Sequence, residues 1–94
     1  MSFMTDTKLR RFGEWLEYRR EELGMTQDEL AEKMGNTSSF VSELELADDA
    51  YVTENEAKQL ILGLDIHTEK LLQVPGFHLA VEPIVALSDE PSNQ

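Results

Sequence analysis

At 94 residues with 40% apolar side chains, the chain can build one small core and no more than one domain. Nineteen acidic residues against eight basic ones give a net charge of −11, so any contact with a polyanion must come from a local cluster rather than from the surface at large. The absence of cysteine excludes a disulfide framework and a thiolate metal site, and no apolar run approaches the ~20 residues of a membrane span. With no signal-peptide pattern at the N-terminus, a cytoplasmic location is expected.

Residues 1–6 are expected to fray. Thr5, Asp6 or Thr7 can cap a first helix running to about Leu23, with Leu9, Phe12, Leu16 and Leu23 inward and Trp15 and Tyr18 nearer its edge. Lys8, Arg10, Arg11, Arg19 and Arg20 gather most of the cations into this helix, and Gly24 closes it. Thr26 and Glu29 have the spacing of a capping box. They predict a second helix from Gln27 to Met34, apolar along Leu30, Ala31 and Met34 and stopped at Gly35. Thr37 or Ser38 can cap a third helix to about Leu46, which buries Phe40, Val41 and Leu44. Residues 47–52 read as a connecting loop. Thr53 and Glu56 form a second capping-box pattern, opening a fourth helix that ends near Gly63 with Leu60, Ile61 and Leu64 inward. His67 or Thr68 opens a short fifth helix to about Gln73, and Ile66, Leu71 and Leu72 are expected to pack back onto the first.

Pro75-Gly76 is a break. Phe77 to Glu82 then alternates as a half-buried strand does, and Pro83 confines that strand to an edge or an end. Ile84 to Leu87 stays apolar, and the polar run from Ser88 to Gln94 is expected to be disordered. The apolar residues Phe77, Leu79, Val81 and Ile84 leave three destinations open: the same strand of a second subunit, the chain's own domain, or another protein.

The run from Thr26 to Glu45 resembles the helix-turn-helix of the phage Cro and C1 repressors, the XRE family. Thr26-Gln27, Leu30-Ala31, Gly35, Val41-Ser42 and Glu45 stand where that pattern has them, and the likeness extends from Arg20 and Gly24 to about Leu72. It implies an all-α, five-helix Cro/C1 repressor-like domain over residues 1–73. Residues 74–94 lie outside the resemblance and are expected to form a C-terminal extension, an edge strand for which dimerisation is one of the three destinations above, followed by a disordered tail. In such a domain the third helix enters the major groove of double-stranded DNA. By that geometry Asn36, Thr37, Ser38, Ser39, Ser42 and Glu43 face outward, and the first five can donate to and accept from bases or phosphates. The resemblance places Gln27 near a phosphate and Ser38 and Ser39 at base-reading positions. Arg10 and Arg11 are cations available for flanking phosphates. Arg20 and Glu45 match the family's ion pair between helices one and three, which is structural.

These same residue types are also ordinary caps and solvated turn positions, so each carries a plain structural reading beside the functional one. The chain departs from the family pattern at Glu43, a slot that often holds Lys or Arg, and at Leu46-Ala47-Asp48-Asp49, which replaces a loop that is often basic. Glu43 can accept from a cytosine amino group. His67 and His78 have no metal-ligand pattern around them, and the serines of the third helix have no partner base, so no enzyme, metal or cofactor is expected. The expected function is sequence-specific DNA binding by a homodimeric repressor on a palindromic operator. Two alternatives stand beside it: an acidic protein-binding module (anti-activator, antirepressor or DNA mimic) and the antitoxin of a toxin–antitoxin pair.

Overall fold

The computed structural model describes residues 11–80. In chain order they form α1 (Phe12–Glu22), α2 (Gln27–Met34), α3 (Ser38–Glu45), β1 (Ala50–Val52), α4 (Glu54–Leu64), α5 (Thr68–Leu72) and β2 (Phe77–Leu79). Both expected capping boxes form. The hydroxyl of Thr26 accepts from the Glu29 amide while the Glu29 carboxylate accepts from the Thr26 amide, and Thr53 and Glu56 repeat the arrangement at α4. Each box satisfies two of the N–H groups that a helix start leaves open.

The first helix differs from expectation at its start. It begins at Phe12, because Arg11 is extended (φ −116°, ψ 149°) and the first helical amides are already engaged, while the caps expected at Thr5–Thr7 lie outside the described residues. Phe12 N–H donates to the Asp48 carbonyl at 3.1 Å and Gly13 N–H to the Ala47 carbonyl at 2.8 Å. The positive end of α1 thus abuts the chain leaving the negative end of α3. Gly13 is required there: a Cβ at this position would lie 2.1 Å from the Glu45 carbonyl oxygen. Leu9, expected on the inward face, lies outside the described residues.

The core gathers Phe12, Trp15 and Leu16 from α1, Leu30, Ala31 and Met34 from α2, Val41 and Leu44 from α3, Ala57, Leu60 and Leu64 from α4, and Leu71 from α5. A fully buried leucine or phenylalanine of this kind stabilises the fold by about 1.5–3 kcal/mol. Trp15, expected near the edge, belongs to the core, its ring centroid 5.8 Å from that of Phe12. Leu72, expected inward, is 56% exposed. In so short a helix Leu71 takes the buried position, and the next residue points about 100° away.

Residues 50–52, expected as loop, form a strand. β1 pairs in parallel with β2 in the register Ala50–Phe77, Tyr51–His78, Val52–Leu79. Ala50 N–H donates to the Gly76 carbonyl at 2.7 Å and Ala80 N–H to the Val52 carbonyl at 2.6 Å. Ala50 and Val52 face inward, Tyr51 outward. Phe77 is buried 6.1 Å from the Phe12 ring and Val74 is buried beside it. The described part of the extension therefore folds onto the chain's own domain. Of the four apolar residues for which a second subunit was one of three destinations, Phe77 is committed to the chain's own core and Leu79 is 44% exposed. Val81, Ile84 and the tail from Ser88 lie outside the described residues.

Candidate nucleic-acid interface

α2 and α3 meet through a turn set by Gly35, whose left-handed backbone (φ 77°, ψ 33°) terminates α2. Asn36 N–H returns to the Ala31 carbonyl at 2.9 Å, closing the turn. Thr37, not Ser38, caps α3, its hydroxyl accepting from the Phe40 amide at 3.1 Å. On the outer side of this unit the first turn of α2 and the face of α3 enclose a shallow groove lined by Gln27, Asp28, Ser38, Ser39, Ser42 and Glu43.

Three of the expected contact residues are held by the fold. Asn36 donates from Nδ2 to Gln59 Oε1 at 2.8 Å, tying the turn to α4, and its Oδ1 accepts from the Thr37 amide at 2.7 Å. Thr37 spends its hydroxyl on the cap. Gln27 donates from Nε2 to Glu45 Oε1 at 2.8 Å. That carboxylate is the centre of the expected ion pair. Arg20 Nε reaches Glu45 Oε2 at 2.5 Å and Nη2 reaches Oε1 at 3.1 Å, while Nη1 donates to the Met25 carbonyl at 2.8 Å. The two side chains are 11% and 6% exposed. The hydrogen bond to Glu45 raises the Arg20 pKa above its ordinary value, against the opposing effect of burial. Gln27 is thereby anchored from behind on the rim of the groove, with one amide hydrogen and its carbonyl oxygen left over.

The other groove residues are different. Among the described residues, the hydroxyls of Ser38, Ser39 and Ser42 and the carboxylate of Glu43 have no hydrogen-bond or ion-pair partner within the chain. They lie at i, i+1, i+4 and i+5 on one side of α3, so the groove presents three hydroxyls and a carboxylate together. Asp28 was missed by sequence reasoning. Its position directly after Gln27 in the first turn of α2 is the signal that could have found it. The two carboxylates make the groove acidic, and among the described residues no cation lines it. Arg11 is turned to the chain itself, pairing with Glu14 at 2.6 Å and Asp48 at 2.9 Å. Arg10 lies outside the described residues.

A helix-turn-helix family model matches residues 16–71, more than half of the chain, and takes in α2, the Gly35 turn and α3. The chain belongs to the Cro/C1-type (XRE) helix-turn-helix family. No curated protein and no solved structure matches it. As a member of this family the chain is a DNA-binding helix-turn-helix regulator in the general sense, and the family is a regulatory rather than a catalytic one. In this XRE domain the match takes in β1 and stops before β2. Among the described residues, no group of three or more His, Asp or Glu is placed to hold a metal ion, and no helix is long and apolar enough to cross a membrane.

Proposed function

We propose that the chain is a sequence-specific transcriptional regulator that acts as a dimeric repressor on a palindromic operator, with the α2–α3 groove against the major groove. The observation that carries this reading is the division of labour around the turn. Asn36 and Thr37 are consumed by the fold, while Ser38, Ser39, Ser42 and Glu43 share one face with no partner among the described residues. Unpaired hydroxyls and a carboxylate on one helix face suit base-edge readout. Gln27, held by Glu45, suits a neutral phosphate contact at the groove rim.

The short reading helix supports a dimer. Eight residues at 1.5 Å each span about 12 Å, which covers only three or four base pairs. Two copies on half-sites about one helical turn apart double that readout.

A second reading is favoured by the two carboxylates of the groove: an acidic face that binds a basic protein partner, or covers a toxin. Fluorescence anisotropy separates the two. The full chain is titrated into a labelled duplex from upstream of its own gene, beside a scrambled duplex, at several salt concentrations. The DNA reading predicts preference for the first duplex and a salt slope well below that of proteins with about six to ten phosphate contacts. Absence of binding at low salt would leave the protein-binding reading.

A further inference from the structure

Resting on the DNA-binding reading, we propose that Glu43 is a specificity-determining residue and that it selects a cytosine in each half-site, on the base edge that meets the C-terminal half of α3.

A carboxylate can only accept hydrogen bonds. In the major groove, guanine presents the acceptors N7 and O6, and thymine presents the acceptor O4 beside a methyl group. Both repel a carboxylate. Adenine offers its N6 amino group, but N7 lies next to it and faces the second carboxylate oxygen with another acceptor. Cytosine offers the N4 amino group with no acceptor beside it on the same base, and is the base whose own edge best suits Glu43. The surroundings of Glu43 sharpen this choice. Among the described residues no cation lines the groove to neutralise the carboxylate, and none pairs with it to turn it away. Glu43 is exposed, one residue on from Ser42 and four on from Ser39, so it enters with the hydroxyls rather than standing apart. Those serines can donate or accept and tolerate several bases. The sharp discrimination in the half-site therefore comes from the carboxylate.

The test is selection of duplexes from a random pool by the wild-type chain and by Glu43→Gln, with circular dichroism to show that both are folded. Glutamine pairs with adenine N6 and N7 together. The expected result is a half-site position enriched in cytosine by the wild type and in adenine by the variant. The anisotropy preference at that position should be about tenfold in each direction. Enriched duplexes that carry no cytosine preference, or the same motif from both proteins, would overturn the assignment of Glu43 and leave DNA binding standing. A pool from which neither protein enriches any duplex would overturn both.

Discussion

At the scale of single residues, the turn region sorts its polar side chains into those that hold the fold and those left to face outward. Glu45 is the strongest of the first kind, because one carboxylate receives Arg20 and Gln27 while almost wholly buried. Glu45→Ala strands the Arg20 guanidinium, and loss of one partner of such a pair costs about 3–5 kcal/mol. Urea denaturation followed by circular dichroism should show a loss of that size; a loss below about 1 kcal/mol would mean that the pair is effectively solvated. Asn36 and Ser39 form a matched contrast. Asn36→Ala removes the bond to Gln59 and the support of the Thr37 amide, and should lower stability by about 1 kcal/mol. Ser39→Ala should leave the denaturation midpoint unchanged and weaken specific DNA binding about threefold to tenfold. If Ser39→Ala binds the operator as the wild type does, Ser39 is not part of the reading face.

At the scale of elements, β2 is a structural strand rather than a loose appendage. Phe77 packs on Phe12 under the β1–β2 pair, so Phe77→Ala should cost about 3–5 kcal/mol of stability, measured by the same denaturation. A cost near zero would show that the strand pair contributes nothing to the core. The helices were legible in the sequence because their signals are local. The pairs Thr26–Glu29 and Thr53–Glu56 lie three residues apart, and Gly35 marks its own turn. The strand pair was not legible. Ala50-Tyr51-Val52 is too short to show a period, and its partner lies 27 residues away across α4 and α5. The start of α1 was missed for the same reason, since its amides are satisfied by carbonyls of residues 47 and 48. Within the site, the outward set was expected from the helix-turn-helix resemblance. The bond that holds Asn36 depends on Gln59, and the pairing of Arg11 depends on Asp48; neither partner is adjacent in sequence.

At the scale of the whole molecule, the charge of −11 sets how DNA can be held. On the proposed reading the net charge opposes long-range attraction to phosphates, so affinity would rest on short-range contacts in the groove, where added salt has little to screen. Two chains should bind each palindromic duplex, because one α3 spans too few base pairs to specify a site. Light scattering on the protein mixed with that duplex measures the stoichiometry, and a stable complex of one chain per duplex would rule out the symmetric arrangement. The central claim is that the α2–α3 groove is the DNA face. Backbone amide resonances of the labelled chain, followed by NMR as the best-binding duplex is added, test it most directly. The account predicts that shifts cluster at Gln27, Asp28 and residues 38–43, while β1, β2 and α5 change little. Shifts centred on Tyr51, His78 and Leu79 with the α3 amides unmoved would contradict it.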